Sequence, residues 1–256
     1  MKLFDTHCHL NNDLLYKGLD AVIKRALTVG VDKMVVIGWD YQSSLKALDI
    51  ASRYPFIYAT VGVHPNDIEN VDKVLLNQIL ELSKHNKVVA IGEIGLDYHY
   101  TKDKKIHQQQ KDIFIEQIEF ANRAGLPIVI HSRDAFADTI KILQDHKPVH
   151  GGVMHCYSGS VESLDEALSL GLYIGLDGPV TYKNAKTPQK VAIEVPLERL
   201  VLETDAPYLT PQARRGTVNE PANLIYIADE IASLRQMSKK DLLDAVYNNA
   251  CRLFKL

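Results

Sequence analysis

The sequence predicts an α/β protein: a parallel-stranded (β/α)8 barrel of the TIM type with closing C-terminal helices, read as one domain over residues 1–256. Two observations predict it. Short runs rich in Val and Ile recur eight times along the 256 residues, each followed by a helix-like stretch, and such alternation implies parallel pairing through crossovers. Eight units in a chain this long match a closed barrel, typically about 250 residues, better than an open doubly wound sheet. No G-x-G-x-x-G follows the first run to favour a dinucleotide fold.

In order, the strand candidates are residues 3–6, 33–37, 57–63, 88–93, 127–131, 152–155, 172–176 and 200–204. The clearest helix is 107–124, where Phe114, Ile118 and Ala121 fall at i, i+4 and i+7 before Gly125 and Pro127 stop it. Residues 220–236 and 239–251 read as the closing helices, with no repeat, linker or low-complexity segment.

Composition narrows the function classes. With 29 Lys and Arg against 32 Asp and Glu, the net charge is −3, and 46% of residues are hydrophobic, which excludes disordered and fibrous classes. No apolar run approaches the roughly 18 residues of a membrane span, and MKLFDTHCHL lacks the pattern of a secretory signal, so a cytoplasmic protein without a membrane partner is expected. Three cysteines, Cys8, Cys156 and Cys251, without C-x-x-C spacing argue for reduced, buried thiols rather than disulfides or a Cys-type zinc site. Without a block of consecutive basic residues, long nucleic acid is not coated electrostatically, though one or two phosphates can still be engaged.

Six polar tips lie at the C-terminal ends of five strands, where such barrels build their active sites. They are His7 and His9 in DTHCH, Glu93 in GEIGLDY, His131 in HSRDA, His155 in MHCYSG and Asp205 in LETDAPYL. Strand alternation places Leu3, Asp5, His7 and His9 on one face, with Cys8 turned away as a packing residue. It sets Val89 and Ile91 beneath Glu93, Val129 beneath His131, Val153 beneath His155, and Val201 and Glu203 beneath Asp205. A lone strand-end histidine is usually an ordinary hydrogen-bonded one. Four imidazoles and two carboxylates at one mouth are costly without a cation, and four imidazoles favour zinc, manganese, iron or nickel over magnesium.

Around this set, Asp5 and Glu203 are candidates to fix imidazole tautomers. Arg133, which shares parity with His131, is a candidate phosphate grip, its alternative being an ion pair with Asp134. His64 in VGVHP also faces the mouth, as a catalytic partner or a plain loop residue. Lys102, Lys104, Lys105, Arg214 and Arg215 could add backbone contacts, and Tyr98 and Tyr157 could stack on a base. His85, His107, His146 and His150 read as solvated, with His99 leaning the same way. A Cys–His nucleophile is excluded for Cys8 and Cys156, because adjacent strand residues point to opposite faces.

Together DTHCHL, GEIGLDY, HSRDA, HCYSG and ETDAPYL, reinforced by VGVHP and GPVTYKNAK, resemble the TatD family of metal-dependent deoxyribonucleases within the amidohydrolase-type barrels. The resemblance covers nearly the whole chain. It implies two divalent ions, magnesium or manganese, with His7 and His9 on one, Glu93 bridging, His131 and His155 on the other, and Asp205 completing the site. In amidohydrolase-type relatives the bridge is often a carboxylated lysine, whereas here the strand tip carries Glu93 and the nearest lysine, Lys87, precedes the strand. Asp177 in GLDGPV departs from the family pattern.

The expected activity is hydrolysis of DNA phosphodiesters by metal-activated water, oriented or deprotonated by Asp205. A mouth without a long basic groove suits exonucleolytic attack on single strands or duplex ends. The alternatives are an ester or amide hydrolase acting on a D-aminoacyl-tRNA or small metabolite, and a non-catalytic barrel scaffold. The sequence leaves the oligomeric state open.

Overall fold

The computed structural model describes residues 2–256. Eight parallel strands form one sheet in sequence order: β1 (Leu3–Cys8), β2 (Val31–Val36), β3 (Ile57–Val61), β4 (Val88–Asp97), β5 (Ile128–Arg133), β6 (Gly152–Met154), β7 (Tyr173–Leu176) and β8 (Leu200–Leu202). The barrel closes just past β8. Cys8 bridges Ala206, Asp205 N–H donates to His7 C=O at 2.9 Å, and His9 N–H donates to Ala206 C=O at 2.7 Å.

Two apolar layers hold the sheet. Inside, Phe4, Val35, Ile37, Val89, Val129, Val153 and Val201 pack together, and Ala250, Leu253 and Phe254 of the last helix stopper the lower end. Outside, a larger layer lies between strands and helices and takes in Leu3, Cys8, Ile91, Phe114, Ile118 and Leu242. Val129, Val153 and Val201 therefore face inward, as alternation requires.

Two strands break the expected alternation. Leu3 belongs to the outer layer and Phe4 to the inner one, so Leu3 and Asp5 do not share the face of His7. Likewise Val89 is inner and Ile91 outer. In both strands the pairing register shifts, between Asp5 and Cys8 in β1 and, in β4, between Val88 and Ala90 and again between Ile91 and Ile94. An extra residue at such an irregularity reverses which side the following residues face. Cys8 nevertheless packs away from the mouth, its thiol 3.4 Å from the Val35 carbonyl.

The strands differ from the sequence reading mainly at their upper ends: β4 runs on to Asp97, while β6 and β8 stop before His155 and Asp205. The long helix spans Lys104–Ala124, starting three residues early because the Asp103 carboxylate accepts the Lys105 N–H, and ending at Gly125 in the left-handed region (φ 75°). The closing helices are Leu224–Leu234, entered through a 3-10 turn at Pro221–Asn223, and Lys239–Phe254, capped by Ser238. No helix among the described residues is long and apolar enough to cross a membrane.

Gly95 tests the closeness of β4 and β5. At φ +144° a Cβ there would lie 2.0 Å from the His131 carbonyl oxygen, whereas at Gly125 it would meet nothing within 4 Å. Gly95→Ala should lower the unfolding free energy by more than about 2 kcal/mol, against about 1 kcal/mol for Gly125→Ala. Urea midpoints compared at constant m-value measure this; equal losses would contradict the close approach.

Candidate metal centre

Barrel closure brings the end of β1 against the segment after β8. His9 Nε2 lies 3.1 Å and His7 Nε2 3.5 Å from Asp205 Oδ1, and the two Nε2 atoms are 3.3 Å apart. Asp205 holds this place with a left-handed backbone (φ 52°), a costly conformation for a residue with a Cβ.

Glu93 joins this group to a second one. Its Oε2 is 3.4 Å from His7 Nε2, while Oε1 is 2.8 Å from His131 Nδ1, 3.3 Å from His155 Nε2 and 3.6 Å from His64 Nε2. The His7 and His155 rings stack at 3.7 Å. All six sequence-predicted tips are thus together, and His64 with them. His64 caps a 3-10 turn, its Nδ1 accepting the Asn66 N–H at 3.1 Å, which leaves Nε2 for the site.

The donor set fits a divalent cation. Three overlapping groups (His7, Glu93 and His155; His7, His9 and Asp205; His64, Glu93 and His131) each place one nitrogen or oxygen per residue within 4.8 Å of the others. Imidazole and carboxylate without sulfur suit first-row divalent ions, magnesium being the weaker partner for nitrogen. The Nδ1 atoms of His7 and His9 are buried without hydrogen-bond partners. Convergent lone pairs that share few protons are what a cation would relieve.

Charge is distributed unevenly over the histidines. Burial and the positive His155 hold His7 below its ordinary range. His155 overcomes its burial through Glu93 and Glu203 and is raised well above 6.5; His131 overcomes its own through Asp97 and Glu93 and is raised less. Glu93, despite burial, is held far below the carboxylate range by His155, His64 and His131.

Carboxylates behind the ring fix two of the imidazoles. Glu203 accepts from His155 Nδ1 at 3.1 Å and from the Cys156 N–H, and Gly175 leaves the space it occupies, since a Cβ there would lie 2.5 Å from its Oε2. Asp97, which the sequence reading missed, sits 3.1 Å from His131 Nε2 and accepts from Asn66 at 3.0 Å; against its burial these bonds and the His99 N–H hold it at about 2. Extending the fourth strand through GLDY would have revealed it, four residues beyond Glu93.

Asp5 touches no imidazole. It accepts from Thr204 Oγ1 at 2.6 Å, Thr204 N–H at 3.0 Å and His7 N–H at 3.3 Å, and burial pushes it up to about 8. Asp5 lies before the shift, off the face of His7, and ties the β1 and β8 ends together.

Above these groups opens a cavity of about 710 Å³. Arg133 lines it, exposed, its guanidinium 5.2 Å from the Tyr100 ring centroid and donating to the Tyr100 hydroxyl at 3.1 Å; Asp134 pairs with His99 instead. The other contacts expected from the sequence lie elsewhere. Tyr98 stacks on His107 and donates to Asp138, and Tyr157 is buried, bonded to Ser160 and Ser163. Lys102, Lys104, Lys105, Arg214 and Arg215 do not line the cavity. His85, His107, His146 and His150 have local partners outside it. The cysteines are free, but only Cys8 is fully buried; Cys156 and Cys251 are half-buried.

A family model described as TatD related DNase matches residues 4–255. The chain is 44% identical, over 99% of both chains, to an uncharacterised metal-dependent hydrolase of Bacillus subtilis, YabD. It is 35% identical to the 3'-5' ssDNA/RNA exonuclease TatD of Edwardsiella piscicida, over 99% of this chain and 100% of that one. Among solved structures, the TatD homolog YJJV of Escherichia coli K12 superposes with a TM-score of 0.93 at 32% identity, covering 99% of this chain and 98% of its own.

Because the carboxylates around them raise His155 and His131 above the ordinary imidazole range, a divalent ion must displace their protons. Metal affinity should therefore rise as pH climbs from 6.5, with proton uptake by the buffer in calorimetry; a flat profile would mean neutral imidazoles. Separately, Asp97→Asn should weaken metal binding by about 10- to 100-fold, as read by chelator competition, with the circular dichroism spectrum unchanged.

Proposed function

Since the chain belongs to the TatD-related DNase family and is a metal-dependent hydrolase, we propose that it is a nuclease removing nucleotides from an end of single-stranded DNA. The observation that carries this is Glu93 between two imidazole groups, one oxygen toward each. A shared carboxylate of this kind suits two neighbouring cations, held by His7, His9 and Asp205 on one side and His131 and His155 on the other. Divalent ions supply Lewis acidity there, polarising a phosphoryl oxygen and acidifying water.

The side chains then divide the work. Asp205, beside His7 and His9, takes the proton of the attacking water. His64, its Nδ1 occupied by the Asn66 N–H, presents Nε2–H to Glu93 and keeps that carboxylate in place. Glu203 and Asp97 hold His155 and His131 in the tautomers and orientations that face Glu93. Arg133 grips a non-bridging phosphate oxygen through its planar fork. Family membership sets the scaffold alternative aside.

A relative bearing an exonuclease name supports the polynucleotide reading, and a mouth with one guanidinium rather than a basic groove suits a strand end. The test uses metal-loaded protein on linear and circular single-stranded DNA. Linear DNA should be degraded and circular DNA spared. Arg133→Ala should cost about 10- to 100-fold in kcat/KM on the linear strand, more than on a small neutral ester. Equal losses on both substrates would remove the phosphate role, and hydrolysis of aminoacyl esters in preference to DNA would favour an ester hydrolase.

A further inference from the structure

The chemistry above occupies the floor of the cavity and leaves its walls unassigned. Trp39 lies just beyond β2 and Tyr208 beyond β8. Both stand edge-on against the His9 ring, with centroids at 5.2 and 5.9 Å and interplanar angles of 64° and 67°. Neither belongs to either apolar layer. Tyr208 is 50% exposed and Tyr100, across the opening beside Arg133, is 71% exposed.

The backbones that carry these rings are held in place. The Trp39 backbone N–H donates to Ser43 Oγ at 2.8 Å and the Trp39 carbonyl accepts the His64 N–H at 2.9 Å. The Tyr208 hydroxyl accepts from Asn12 at 3.0 Å, its N–H donates to the Asp205 carbonyl at 2.9 Å, and its own carbonyl accepts from Asn219. Trp39 is half-buried, but both rings line the cavity, and aromatic faces on a fixed backbone lose little freedom when something flat packs on them.

Charge decides what that is. Among the described residues Arg133 is the only Lys or Arg in the lining, against Asp67 on the walls and Glu93, Asp97 and Asp205 at the floor. With cations bound the floor accepts one phosphate, but the walls, with Arg133 against Asp67, offer no net positive charge to a run of them. Affinity for a polynucleotide must come from its bases. A duplex keeps its bases paired and stacked inside, whereas an unpaired strand offers π-faces that stack on any aromatic ring without regard to base identity.

We propose that Trp39 and Tyr208 form a base-stacking subsite for the nucleobase adjoining the scissile phosphate. The substrate class is then single-stranded nucleic acid entered by an unpaired terminal base, an inference that rests on the phosphodiesterase reading above. Discrimination follows ring area, purine over pyrimidine, rather than hydrogen-bond pattern.

The experiment compares, on metal-loaded protein, a short single-stranded oligonucleotide with the same strand carrying abasic tetrahydrofuran residues at its ends. Wild type should favour the intact strand by about 10- to 100-fold in kcat/KM, mostly through KM. In Trp39→Leu and Tyr208→Leu that ratio should fall toward one, and Trp39→Phe should retain most of it. Because both substrates meet the same protein, partial misfolding cancels. A wild-type ratio near one, or a ratio unchanged in both leucine variants, overturns the subsite while cleavage of the intact strand keeps the nuclease reading. No cleavage of either strand with magnesium, manganese or zinc overturns both.

Discussion

The Glu93 carboxylate, buried and reached by imidazoles on both of its oxygens, is the constraint around which the upper barrel is arranged. An ionised carboxylate removed from water is tolerable only if positive charge surrounds it, and the closed barrel brings four strand ends to this one side chain. That requirement explains the local costs nearby. Asp205 and Cys156 take left-handed backbones (φ 52° and 43°), and β1 and β4 both lose register just where their ligands must turn inward. Strain of this kind persists only where surrounding contacts over-determine it. Here they do: Asp5 accepts from both the Thr204 backbone and its hydroxyl, fastening the end of β1 to the segment carrying Asp205.

The two imidazole groups differ in what stands behind them. His131 and His155 each have a carboxylate on the nitrogen facing away from Glu93, while the Nδ1 atoms of His7 and His9 have no partner. A carboxylate at the back makes an imidazole more basic toward either a proton or a metal. The His131 and His155 side is therefore the one where pH competes most directly with cations, and the His7 and His9 side depends more on Asp205 for its negative charge. Asp177 lies buried near Glu203 and Asp205 and is pushed well above the carboxylate range by burial and by those two neighbours.

Much of this was legible in the sequence, because hydrophobic runs and strand-end polar residues carry long-range information once a closed barrel is assumed. The eight strands and six converging tips follow from that assumption alone. What could not be read was where alternation fails, since a bulge leaves no mark in hydrophobicity: Leu3 and Ile91 look as apolar as Phe4 and Val89, yet face the other layer. Ending the fourth strand at Glu93 hid Asp97 for the same reason. The aromatic assignments went astray differently. Tyr98 and Tyr157 sit beside motif residues in sequence but spend their rings and hydroxyls on packing, whereas Trp39, in no tip motif, reaches His9 through the barrel's curvature.

The link between scaffold and site is clearest in the helix Lys104–Ala124, which contributes no side chain to the cavity lining and yet positions two residues of it. Gln117 offers its amide oxygen to Val63 N–H at 2.8 Å and its NH2 to Val63 C=O at 3.1 Å; Gln110 does the same for Asp97 at 3.0 Å each and also donates to Pro65. Each glutamine imitates the pair of hydrogen bonds a neighbouring strand would make, at a height where β3 has ended. Buried backbone groups must find partners, and by meeting that need the two side chains fix the segments bearing His64 and Asp97. The orientation of His131, and through it of Glu93, is thus set partly by a helix face that a hydrophobic pattern would assign to packing alone.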